Sequence, residues 1–367
     1  MNTTLKFPFY AKFAFIVIGL TAVVCTMYFG QHIIVPLIYA TIIAILLNPL
    51  VNLLVRKNIN RVVAISFVVF LAILVVLSIV YLISAQITLF NDSYPLLKER
   101  FNEIWLRFMH WISVHFNIKP ASINKWIKNS QEEAVNNLGG AIGQTIFMIN
   151  SVLVIVVLLP VYLFMILFYK NLLLEFVRQL FNAEHHEAVF GVLTNSKKII
   201  QVYLIGLLFE AAIIATLNSL GLFLLGIEYA IILGITGALL NVIPYIGGVV
   251  AIALPMIIAF VTKDSYSYSV LVLIIYVIIQ FVDNHFIIPH IVAAKVKLNA
   301  LVSVIVVLIG GALWGIPGMF LSIPLTAIVK VIFDNVGPFK PWGFLLGNVV
   351  PTSKMKLSYI KKRVIKS

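Results

Sequence analysis

Seven stretches of this sequence run for at least fifteen residues without an Asp, Glu, Lys or Arg: 13–55, 62–91, 134–169, 211–225, 229–262, 265–282 and 302–329. About 18 apolar residues already argue for a membrane span, and most of these runs are longer. No soluble globule of 367 residues that are 62% hydrophobic and 11% charged can hide that surface. The runs are continuous rather than alternating, so the spans are helices and not barrel strands. The predicted fold is an all-α polytopic membrane protein of about eight hydrophobic segments with a small helical domain outside the membrane.

The first run, from residue 13 to 29, is too long for a signal-peptide core and no small-residue cleavage site follows, so a retained span is expected. The single cysteine, Cys25, excludes an intramolecular disulfide. The net charge of +13 sits in loops and in the tail at 354–366, which points to anionic lipid and topology rather than to nucleic acid. Lys6 and Lys12, and the basic loop 56–61, place the N-terminus and the second loop in the cytoplasm.

Five regions follow: spans in 1–90; a polar, external helical insertion in 91–143; a fourth span and a cytoplasmic amphipathic segment in 144–198; a transport core in 199–335; and a basic cytoplasmic tail in 336–367. In the insertion, Leu97, Phe101, Ile104, Trp105, Phe108 and Ile112 recur at helical spacing. The Glu184-His185-His186-Glu187 cluster does not make a metal site, because adjacent histidines point to different helix faces.

Two runs in the core are too long for single crossings. As one helix, 229–261 would reach about 50 Å against a hydrocarbon thickness of about 30 Å. It is interrupted at Asn241-Val-Ile-Pro-Tyr-Ile-Gly-Gly248, with Pro244, Tyr245, Gly247 and Gly248 as breakers. Residues 300–332 are interrupted at Gly310-Gly-Ala-Leu-Trp-Gly-Ile-Pro-Gly318, with Gly310, Gly311, Gly315, Pro317 and Gly318. Each is expected to be a re-entrant hairpin of two half-helices. Span, outer hairpin, span, inner hairpin is the outline of an inverted repeat, the pattern that places a binding site at mid-membrane.

Only Glu210 and Asp283 are acids well inside spans, where an ionisable group costs about 2.5–3.5 kcal/mol and must face protein or water. Either can bind a cation when ionised or carry a proton when neutral. Gln280, Asp283, Asn284 and Ile287 share one face at three- and four-residue spacing, leading to a kink at Pro289. Asn241 and Tyr245 can line a path or satisfy broken backbone. No nucleotide-binding loop, catalytic constellation, metal site or cofactor motif is present. Transport by such a chain is secondary, and no enzyme activity is expected.

These residues also carry a resemblance. Ile243-Pro-Tyr-Ile-Gly247, Asp283 with Asn284 and Pro289, Lys295-Val-Lys-Leu-Asn299, Gly310 to Gly318 and Ser322-Ile-Pro-Leu325 are similar in order and spacing to the autoinducer-2 exporter (AI-2E) family of bacterial permeases. The resemblance implies a multi-pass protein of the bacterial inner membrane and a homo-oligomer, a pentamer on the same grounds. It implies two activities: export of the quorum-sensing signal autoinducer-2, and sodium or lithium/proton antiport. Many members have a glycine near Ala294 and a proline near Ala300, which this chain lacks, so the likeness speaks for transport more than for a substrate. The expected partners are membrane lipid and a small polar solute, or a monovalent cation and proton. From a different class, the chain could be a non-transporting scaffold that assembles through 91–143.

Overall fold

The computed structural model describes residues 8–116, 158–242, 247–263, 265–293 and 298–348. Its regular elements are helical, and among the described residues the only β pairing is a single antiparallel bridge between Leu298 and Gly347. The chain is an all-α polytopic membrane protein. By length and composition six of its described helices can cross a membrane, or seven with one bent pair counted as a span. Large side chains such as Phe13, Leu74, Phe209 and Leu308 point outward from these helices, as lipid rather than water requires.

Helix α1 (Phe9–Phe29) and α2 (Gln31–Arg56) are separated by Gly30 alone. Asn58 then takes a left-handed φ of 62°. Its N–H bonds the Val55 carbonyl and the Ile59 N–H bonds the Leu54 carbonyl, the paired bonds that close a helix. Asn60 Oδ1 accepts the Val62 N–H at 2.9 Å and starts α3 (Arg61–Phe116). With 56 residues, α3 is about 84 Å long, and its candidate span is Arg61–Leu82. The helix continues past residue 91 into the polar region without a break; 117–143 lie outside the described residues.

α4 (Leu158–Phe168) bends by 66° into α5 (Lys170–Gln179). The Arg61 guanidinium donates to the Leu167 carbonyl at 2.9 Å, meeting a carbonyl that the end of α4 leaves free. No residue of α5 is buried. The 39-residue α6 (His186–Leu224) ends at Gly226, φ 64°, where the Gly226 and Ile227 N–H groups bond Phe223 and Leu222. Then come α7 (Ala230–Asn241), α8 (Gly247–Thr262) and α9 (Ser267–Val282), which passes into a π-helical segment, Asp283–Ala293. α10 (Ala300–Asn335) and the short α11 (Lys340–Leu346) complete the described chain.

The chain divides into two compact units. One comprises Met1–Leu46, Lys170–Leu208 and Ile287–Ser367; the other comprises Leu47–Tyr169 and Phe209–Phe286. The second has a core of Leu222, Leu233, Ala251, Ile258, Val272 and Tyr276, drawn from α6 to α9. Within it, α7 and α8 fold back on each other: a Cβ on Gly237 would stand 3.7 Å from that of Ala251, fourteen residues on. The expected hairpin of half-helices is present.

The second expected hairpin lies in the first unit, inside α10. Gly315 has φ 63° and ψ −144°, a conformation open to glycine, and it separates two helical arms. In a straight helix residues eight apart are about 12 Å apart, yet a Cβ on Gly318 would strike the Gly310 carbonyl. The arms are therefore turned back against each other.

Candidate functional site

The acid of the second unit is built where α9 changes pitch. Pro289 lacks an N–H, and the wider π turn carries the chain past it. Asp283 opens that segment and is completely buried. Asn241, at the end of α7 just before the hairpin break, donates from Nδ2 to Asp283 Oδ2 at 2.9 Å. Asp283 Oδ1 has no hydrogen-bond partner among the described residues.

Two glycines make room for this meeting. A Cβ on Gly247 would overlap the Leu240 carbonyl and come 2.7 Å from Asn241 Cα. A Cβ on Gly248 would stand 3.0 Å from Gln280 Oε1 and 3.6 Å from Asn241 Oδ1. Asn241, Gly248, Gln280 and Asp283 thus converge on one spot. Glu210, on α6, is 6% exposed and close enough to feel the charge of Asp283. No Lys, Arg or His acts on either acid among the described residues. A buried carboxylate without a basic partner holds a proton or a cation. The arrangement can exchange a proton or hold a cation, and it presents amide donors and acceptors beside that charge.

Three of the expected site residues, Asp283, Gln280 and Asn241, therefore come together, and Glu210 is buried in the same unit. Asn284 does not: it is exposed, as is Pro289. The three- and four-residue spacing spreads the four residues over an arc wider than the buried side, so Asp283 and Ile287, four apart, are buried while Asn284 beside them is not. Pro244 and Tyr245 lie outside the described residues.

The second break is held mechanically. Gly310 and Gly318 are buried against each other, and Ser322 Oγ donates to the Gly318 carbonyl at 2.6 Å. Gly311 packs on Met319. The Tyr39 hydroxyl donates to the Pro317 carbonyl at 3.1 Å while its ring stacks on Phe320. Trp314 Nε1 donates to the Met27 carbonyl at 2.9 Å, near the end of α1.

Two residues of interest escaped the sequence reading, and Asn299 was read there only as part of a motif. Asn218 is 2% and Tyr276 4% exposed, and Asn218 Oδ1 and Tyr276 OH lack partners among the described residues. Tyr276 sits four residues before Gln280 and seven before Asp283, so extending the polar stripe by one turn finds it. Asn299 caps α10 by accepting the Val302 N–H at 2.8 Å and donates to the Leu345 and Gly347 carbonyls, which ties α11 down.

Comparison with known proteins agrees with this architecture. The AI-2E family transporter model matches residues 15–337. YueF of Bacillus subtilis (strain 168), named as a candidate transport protein, is 25% identical over 314 residues, 82% of this chain and 83% of its own. YhhT of Escherichia coli (strain K12), named likewise, is 23% identical over 92% of this chain and 94% of its own. The AI-2 transport protein TqsA of the same strain is 27% identical over 336 residues, 90% of this chain and 94% of its own. A helical hairpin that delivers an amide to a buried acid, in a chain matched almost from end to end, leads to one conclusion: this protein belongs to the AI-2E family of membrane transporters.

Proposed function

We propose that the chain is a secondary transporter that moves a small polar solute across the bacterial inner membrane, with both termini in the cytoplasm, and that Asp283 and Glu210 are its coupling acids. The observation that carries this reading is the fully buried Asp283 at a helix break, bonded on one oxygen by Asn241 and open on the other. An intramembrane acid of this kind is expensive unless it has work to do on an ion or solute. The name of TqsA makes autoinducer-2 the first solute to try. Export of that signal would give the protein a quorum-sensing role, and the proposed working form is a homo-oligomer. The family consists of transport proteins, so no catalysed reaction is part of the proposal.

A specific observation favours a second reading, sodium or lithium/proton antiport. Glu210 and Asp283 are both buried in the second unit, and no ion pair to a basic residue joins either among the described residues. A monovalent cation or one shared proton would balance such a pair in turn, and alternation between them is antiport.

Purified protein in liposomes separates these readings. The assay follows proton movement with an entrapped pH dye, alongside uptake of sodium, lithium and autoinducer-2, for wild type, Asp283→Asn and Glu210→Gln. Cation-dependent proton movement that is lost in the variants selects the antiporter. Solute flux without cation dependence selects the exporter. Unchanged flux in both variants would overturn the role of the acids, and an inert wild type would favour a scaffold.

A further inference from the structure

Along the second unit the polar groups do not stop at Asp283. A Cβ placed on Gly237 of α7 would stand 3.3 Å from Asn218 Nδ2 and 3.3 Å from the Tyr276 hydroxyl. Side chains from α6 and α9 therefore both close on the bare Cα of Gly237, where a side chain on α7 would press against them. Both residues are more than nine-tenths buried, and Asn218 Oδ1 and the Tyr276 hydroxyl remain without partners among the described residues. A buried hydroxyl or amide oxygen left unbonded costs about 1–3 kcal/mol, and a water molecule normally removes that cost.

The position of this meeting point gives it meaning. From Tyr276 to Asp283 is seven residues, about 10 Å along the helix, with Gln280 midway on the same face. On α7, Gly237 is one turn from Asn241, which bonds Asp283. On α6, Asn218 lies two turns from Glu210. Three helices thus repeat the same step, from the acids toward the Gly226–Tyr229 turn, and each carries a polar group or a gap at both levels.

We propose that Asn218 and Tyr276, across the bare Cα of Gly237, form a hydrated relay station that carries protons to and from Asp283. The inference rests on the coupling role given to the acids above. Water between the two side chains accepts from Tyr276 or from Asn218 Nδ2 and donates to Asn218 Oδ1. When a proton arrives from the carboxylic acid of Asp283 along the water chain, the Tyr276 oxygen takes it and releases its own proton to the next water. One O–H bond forms for each that breaks, the tyrosine ends neutral, and Asp283 is left as carboxylate until it is recharged. Gln280 orients the chain between the two levels without itself transferring a proton.

The test compares wild type, Tyr276→Phe and Gly237→Ala in liposomes under an imposed pH gradient, read by an entrapped pH dye. Tyr276→Phe removes one hydroxyl and the water bond it makes, so the fold should survive with a change in stability of about 1 kcal/mol or less. The alanine methyl presses on both polar groups and displaces water bound between them. Proton flux should fall by about tenfold or more in both. Wild-type flux in both variants overturns the relay while leaving the coupling acids in place; a wild type with no proton flux overturns the coupling reading and the relay with it. A second measurement does not depend on transport. X-ray radiolytic footprinting, which labels side chains beside bound water, should modify Tyr276 in the wild type, and no modification there would show a dry site and refute the proposal.

Discussion

The hairpin inside α10 gives the sharpest quantitative test of the packing, through Gly318→Ala. The added methyl would strike the Gly310 carbonyl oxygen and come 2.7 Å from its carbon and 2.9 Å from Trp314 Cβ. Ordinary contact begins near 3.4 Å, so the arms must part by at least about 0.7 Å against the carbonyl carbon alone. The obstacle is backbone and cannot rotate away. Overpacking costs about 1–3 kcal/mol, and rigid groups on the receiving side place this variant at the top of that range. About 3 kcal/mol is a loss of roughly two powers of ten in the folded-to-unfolded ratio. Gly311→Ala is the control: it meets the Met319 terminal methyl at 2.6 Å, which swings aside for under about 1 kcal/mol. Unfolding of the purified protein by titration of denaturing detergent into mixed micelles, followed by tryptophan fluorescence, reads the difference directly. Equal midpoints for the two alanine variants would refute the back-folded arms.

Other perturbations reach different parts of the argument. Asn241→Leu strips Asp283 of its hydrogen bond, so stability should fall by about 1–3 kcal/mol in the same titration, and Asp283→Asn in that background should recover part of it. Trp314→Phe removes the indole bond to Met27 and should cost about 1 kcal/mol, with Leu at the same position costing more through lost packing. In α5, Glu175 accepts from Gln179 and from Arg178, at 3.1 and 2.8 Å, and these bonds hold its carboxyl below the ordinary range. A lowered value stabilises the folded form above the unfolded-state pKa and ceases to do so as pH falls through the folded one. Hydrogen-exchange protection across Lys170–Gln179, corrected for intrinsic rates, should therefore drop in acid, and Glu175→Gln should flatten the dependence.

Much of the fold was legible because the membrane leaves few options. Uncharged runs longer than a bilayer is thick had to break, and the Gly/Pro clusters at 241–248 and 310–318 told where. The acids were legible for a similar reason, since Glu210 and Asp283 stand out in apolar sequence. What escaped depended on the width of a buried side and on absence. The outward position of Asn284 was not legible because three- and four-residue spacing admits an arc wider than the side that is buried. The role of Gly237 is to be missing a side chain opposite Asn218 and Tyr276, and a glycine in an apolar helix gives no sign of which neighbours fill its place. The continuity of α3 past residue 91 was hidden by a change in polarity that a helix can cross without a change in backbone.

The two breaks share an outline but solve the problem of exposed backbone differently, and that difference locates the chemistry. At 310–318 the freed groups are met by neutral contacts: glycine against glycine, Ser322 on Gly318, Tyr39 on Pro317 and Trp314 on Met27. Nothing there changes charge in the range of pH that a cell experiences. At 241–248 the hairpin instead presents an amide to a carboxylate that keeps one oxygen open, with a second carboxylate within its field. Adding or removing one proton or one cation changes the energy of that contact by much more than any neutral hydrogen bond contributes. A hairpin whose tip is fastened through Asn241 to such a group can be loosened or tightened by what Asp283 holds, whereas the α10 hairpin cannot. If Asp283 has the proposed coupling role, movement linked to ion occupancy is expected at the first break rather than at the second.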